Sequence, residues 1–184
     1  MADIELECGK TVTAHCANSG SMLGVNEPGS EVWLSPAKNA GRKLKFTWEL
    51  IRTGSTLVGI NTQHPNTLVA EAIQNSQIVE LKGFGELKRE VKYGENSRID
   101  ILLSDAKKGL CYVEVKNVTM RRKLSNNAPV EFPDAVTTRG AKHLAELSAM
   151  VKSGHRAIMF YLVQREDGNG GVNIAHDIDP EYGK

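Results

Sequence analysis

Cysteine is scarce. Cys8, Cys16 and Cys111 are the 3 cysteines in 184 residues, an odd and sparse set. That excludes a disulfide framework, and without a Cys-x-x-Cys pair there is no zinc motif. A reducing compartment, the cytoplasm, is expected. Net charge is nearly absent too: 23 Lys and Arg stand against 22 Asp and Glu, leaving +1. No overall field draws nucleic acid, so any polyanion site has to come from local clustering. Long apolar runs are also missing. Nothing approaches the ~20 residues that span a bilayer, so no membrane association is expected. The N-terminal stretch carries Asp3, Glu5 and Glu7 where a signal peptide would be basic and then apolar. What remains is ordinary, with 40% hydrophobic and 24% charged residues. That is enough for a sizeable core. At about 150 residues per domain it suits one or two domains.

The chain changes character near its first third. Residues 1–65 read as short strands punctuated by Gly, Pro and Ser: Ala2–Glu7, Thr11–Cys16, Glu31–Ser35, Lys45–Arg52 and Thr56–Thr62. Five short strands without an amphipathic helix suggest a small OB-like barrel. Residues 66–184 read as αβββαβ. A helix over Thr67–Gln74, with Asn66 as its cap, precedes strands Leu87–Tyr93, Arg98–Leu103 and Leu110–Val118. Asp134–Lys152 is the clearest helix, capped by Asp134 and stopped by Gly154, with Leu144, Leu147, Ala149 and Val151 in its apolar half. Ala157–Val163 follows as a buried strand.

One constellation in the second half can carry chemistry. Asp100 opens one strand, and Glu114 and Lys116 lie in the next. A hairpin turning at Asp105–Gly109 brings Asp100 near Glu114, and the strand period of two puts Glu114 and Lys116 on one face. Two carboxylates and an ammonium at a strand end suit phosphodiester chemistry. Hard oxygen ligands such as Asp100 and Glu114 match Mg²⁺ or Mn²⁺. Lys116 would hold the attacking water or stabilise growing charge, and Glu90 is a further acid. The competing reading is that these are solvated charges on strand surfaces. Against it, they interrupt strands as apolar as Ile101-Leu102-Leu103, and buried charge needs a partner or a metal.

Positive charge clusters locally. Lys43 and Lys45 lie near Trp48, which can stack on a base or fill the barrel core. Arg121 and Arg122 form a basic loop that can meet phosphate or solvent. Arg139 and His143, at i and i+4, share a helical face and can contact phosphate or pair with Glu146. His15 and Cys16 are adjacent in one strand and point to opposite faces, which argues against a nucleophile pair.

Five stretches carry a family resemblance. They are 15–22 (HCANSGSM), 47–50 (TWEL), 97–100 (SRID), 112–119 (YVEVKNVT) and 132–144 (FPDAVTTRGAKHL). In this order the chain resembles the sugar fermentation stimulation protein A (SfsA) family. The resemblance implies an α+β, two-domain chain: an N-terminal OB-like β-barrel, then a PD-(D/E)xK nuclease-like α/β domain. It maps Asp100, Glu114 and Lys116 onto the nuclease-type motif. It implies DNA binding with little sequence preference and a regulatory link to sugar (maltose) use. An active Mg²⁺-dependent nuclease acting on DNA or RNA is the alternative. A transcriptional regulator is a third reading, weakened by the lack of a helix-turn-helix pattern. The family usually has a basic, aromatic segment before Ala2 and a helix and strand beyond 177–182. Their lack here reads as a shortened form, with weaker DNA binding and an open sheet edge expected.

Overall fold

The computed structural model describes residues 1–184 except Ala40, Glu95, Leu124 and Asn126. In chain order the strands and helices are β1 (Ala2–Glu5), β2 (Thr11–His15), β3 (Val32–Pro36), β4 (Phe46–Thr53), β5 (Thr56–Gly59), α1 (Pro65–Gln74), β6 (Glu86–Tyr93), β7 (Ser97–Asp105), β8 (Gly109–Val118), β9 (Val130–Phe132), α2 (Thr138–Lys152), β10 (Arg156–Val163) and β11 (Val172–Ile174). They divide into two compact units. The first comprises Met1–Gln63, Val118–Ala135 and Val163–Ile178, and the second His64–Asn117, Val136–Leu162 and Asp179–Lys184. A division at residue 65 thus falls beside the first crossing between units, after which the chain returns to the first unit twice.

In the first unit β1 to β5 share one sheet. Strand β4 organises it. Antiparallel β3 runs along it from Phe46 to Ile51. Parallel β2 pairs with its first residues, Phe46 and Thr47, and antiparallel β5 with its last, Leu50 to Thr53. Alternation sends Ala2 and Ile4 inward, with Asp3 and Glu5 outward. The core is Ala14, Met22, Val25, Trp48, Ile51, Val58 and Ile60. Parallel β9 and β11 form a separate two-stranded sheet. The sequence reading missed them because 3 residues each are too few to show a period.

The second unit is a four-stranded sheet, β10-β8-β7-β6, with a helix packed against each face. Period two on β8 explains both packings. Cys111, Val113 and Val115 meet Val69, Ala70 and Ile73 of α1. Leu110 and Tyr112 belong with Leu147 and Met150 of α2. Two details correct the sequence reading. Helix α2 is capped by Thr137, whose side chain accepts from the Gly140 amide, and not by Asp134. Asp134 instead accepts from the Ser21 hydroxyl and the Met22 amide. The buried stripe of α2 is Gly140, His143 and Leu147, while Val151 is 54% exposed. Thr137→Ala should lower stability by about 1 kcal/mol, read as a reduced urea midpoint at unchanged slope. No helix among the described residues is long and apolar enough to cross a membrane.

Candidate functional site

Strands β7 and β8 pair antiparallel with Ile101 opposite Val113. One step further along that register lie Asp100 and Glu114. There the Asp100 side chain takes over from the ladder: its Oδ2 accepts the Val115 amide at 2.7 Å. Its Oδ1 accepts from Asn66 Nδ2, also at 2.7 Å. Asn66 is therefore not the cap of α1, where His64 stands, but a residue of the first turn that orients Asp100. Burial first, and then the Glu114 charge, pushes the Asp100 carboxyl above its ordinary pKa.

Glu114 is 2% exposed, which a carboxylate tolerates only with partners. Its Oε1 has them. Lys116 Nζ donates at 2.8 Å, as expected from two residues on one strand face. His143 Nδ1, on the α2 face of the sheet, makes a hydrogen bond to the same oxygen. Arg139 Nε donates to His143 Nε2 at 3.4 Å, so Nδ1 carries the imidazole proton toward Glu114. Glu114 Oε2 is enclosed and has no hydrogen-bond partner among the described residues. The site thus joins Asp100, Glu114 and Lys116 as expected. It adds Asn66 and His143, which entered the sequence reading as a cap and a phosphate contact. It also places Arg139 behind His143.

Donor chemistry decides what this site can hold. Among the described residues no group of three His, Cys, Asp or Glu side chains could cage a metal ion. Two carboxylates, one with a buried oxygen lacking a donor, are the donor set of Mg²⁺ or Mn²⁺, which keep much of their water.

Other expected residues fall elsewhere. Glu90 is exposed at φ +54°, its carbonyl accepting from Arg98, and its carboxylate takes no part in the network. A left-handed backbone in mid-strand turns it away from the pleat that would have set it beside Asp100. Trp48 is 7% exposed, packed in the barrel core with Nε1 donating to the Leu50 carbonyl, so it is not a stacking platform. Arg121 is buried against Asp167, and Arg122 is gripped by Glu131 and Asp177, which raise its pKa. The Arg121 guanidinium is thus held in a buried pair, while Arg122 stays at the surface with its guanidinium engaged by two carboxylates. Lys43 and Lys45 are exposed, and Lys43 lines an open pocket of about 470 Å³ with His15 and Arg42. Cys16 meets Met22 Sδ in the core, on the face opposite His15.

Residues 1–60 match the SfsA N-terminal OB domain, and residues 63–184 the sugar fermentation stimulation protein RE domain. The chain is 59% identical to a sugar fermentation stimulation protein homolog of Rhodospirillum rubrum, over 99% of this chain and 77% of the relative. It is 56% identical to the homolog of Paramagnetospirillum magneticum, over 100% of this chain and 76% of that one. The solved SfsA of Pyrococcus furiosus, described in complex with Ca²⁺, superposes with a TM-score of 0.80 at 24% identity, covering 94% of this chain and 71% of its own. The two-domain α+β class with an N-terminal OB domain is as expected, and the second unit is consistent with a nuclease-like fold. By sequence, domain order and fold together, the chain belongs to the sugar fermentation stimulation protein A (SfsA) family.

Proposed function

We propose that Asp100, Glu114 and Lys116 form a divalent-cation-dependent phosphodiester site acting on nucleic acid. One observation carries this reading: Glu114 is buried with Oε1 anchored by Lys116 and His143 and Oε2 left without a donor. Such a carboxylate is held ready for a cation. Asp100 would be the second ligand, fixed in rotamer by Asn66 and the Val115 amide. The Ca²⁺ complex described for the Pyrococcus furiosus protein supports a divalent cation here, because Ca²⁺ and Mg²⁺ share a demand for oxygen ligands. A bound cation would supply Lewis-acid charge at the phosphate and lower the pKa of water.

The residues supply the rest. Lys116, 14% exposed and anchored at one end of its reach, presents an ammonium beside the carboxylates. There it can donate to a non-bridging phosphate oxygen or hold the attacking water. His143 and Arg139 keep Glu114 from rotating.

The second reading is a DNA binder that does not cut and that acts in the regulation of sugar use. It draws on exposed Lys43 and Lys45 and on the pocket with His15 and Arg42. One experiment separates the two. Labelled single- and double-stranded DNA and RNA are incubated with the protein in EDTA, Mg²⁺ or Mn²⁺. Cutting that needs the cation is expected. Salt-sensitive binding with no cutting on any substrate would instead favour the binder.

A further inference from the structure

Helix α2, which brings His143 to Glu114, carries a further enclosed acid that the chemistry above does not use. Glu146 lies three residues after His143, so the two share a helical face. Its side chain is 13% exposed. Both carboxylate oxygens are enclosed, and neither accepts a hydrogen bond among the described residues. Lys142 Nζ stands 3.7 Å from Oε1, too far for one. Gly94, at φ +58°, leaves the room: a Cβ there would sit 2.9 Å from Glu146 Oε1.

Tyr93 is the second observation. It is 8% exposed, and its hydroxyl has no partner among the described residues. Its ring packs on Tyr112, two residues before Glu114 on β8, in one cluster with Leu147, the neighbour of Glu146 on α2. Burial raises its pKa first, and the charges of Glu114, Glu146 and Asp100 raise it further. A buried donor and buried acceptors left unbonded in one neighbourhood are groups that small polar molecules satisfy. The three acids do not converge closely enough to grip one ion directly. A hydrated cation solves both conditions, since its waters donate outward.

We propose that Glu146, with the Tyr93 hydroxyl, is a positioning residue that accepts hydrogen bonds from the water shell of a divalent cation held by Asp100 and Glu114. This inference rests on the cation reading above.

The test measures Ca²⁺ and Mn²⁺ affinity by calorimetry, and Tm in EDTA, for the intact chain and for Glu146→Gln, Tyr93→Phe and Asp100→Asn. Glu146→Gln should weaken cation affinity about 10- to 100-fold, the range for outer partners of a metal site. Its Tm in EDTA should stay level or rise, because a buried charge that accepts no hydrogen bond is gone. Tyr93→Phe should weaken affinity in the same direction with the ring packing kept. Unchanged affinity in both variants overturns the proposal. A fall in the EDTA Tm of Glu146→Gln, with affinity retained, shows Glu146 to be structural and also overturns it. If the unsubstituted chain takes no more cation than Asp100→Asn, the cation reading fails, and this inference with it.

Discussion

Lys116→Ala should cut cation-dependent cleavage by about 10²- to 10³-fold, the loss typical of removing one preorganised donor from developing charge. DNA affinity should be largely kept, since at most one phosphate contact disappears and the salt slope changes by about 1. The ammonium also anchors Glu114 Oε1, so its removal leaves that buried carboxylate with His143 alone. Lys116→Gln separates the two roles, because an amide can still donate to Glu114 but carries no charge. A similar rate loss in Gln and Ala, with Gln closer to the parent in Tm, assigns the charge to chemistry. A Gln variant that cuts normally would remove Lys116 from the reaction. Asp100→Asn is less clean. Both Asp100 oxygens accept from donors, so the new NH₂ keeps a partner only if the Asn66 amide turns its oxygen toward it, and both hydrogen bonds lose their charge assistance. Lost cutting in that variant should come with a lower Tm.

Asp167→Ala should destabilise the first unit by about 3 kcal/mol, the low end for breaking a buried ion pair. Asp167 is a hub. Arg165 donates to both its oxygens, and Arg121 to one. The guanidiniums are 4% and 7% exposed, so the substitution strands two buried cations, while Asp167 itself keeps 25% of its surface in water. The Arg165 hydrogen bonds lead the causes that hold the Asp167 carboxyl down at about 2, from an ordinary 3.8. Because the folded value is depressed, the stabilisation is complete above the unfolded value and is lost as pH falls through about 2. Acid titration of the parent should therefore steepen between about pH 4 and pH 2. The same window should be flatter in Asp167→Ala, as followed by circular dichroism. Equal acid profiles would show that the clamp contributes nothing.

Local pattern and tertiary assembly divide what could be read in advance. Asp100, Glu114 and Lys116 were legible because a hairpin and a period of two are short-range facts. Strands β1 to β5 were legible for the same reason. Asn66 and His143 were not, since each reaches the site from a helix whose docking depends on how the sheet faces are filled. A buried His on a helix face resembles any core residue until Glu114 is placed opposite it. Arg121 and Arg122 read as a basic patch because their carboxylates, Asp167 and Asp177, lie 46 and 55 residues away. Trp48 sat in a strand where Thr47 and Trp48 are both buried, so alternation did not say which side was wet.

The repeated passage of the chain between its two units bears on how binding and cutting can be told apart. A fragment ending near residue 65 omits Val118–Ala135 and Val163–Ile178, and with them both strands of the smaller sheet. It also loses Arg165, whose backbone bridges Val58. Its complement would carry those segments without Met1–Gln63, the rest of their unit. Expressing halves is therefore a poor route to assigning DNA affinity to one and catalysis to the other. Point substitutions in the intact polypeptide, Lys43 and Lys45 against Lys116, are the genetic dissection this topology permits.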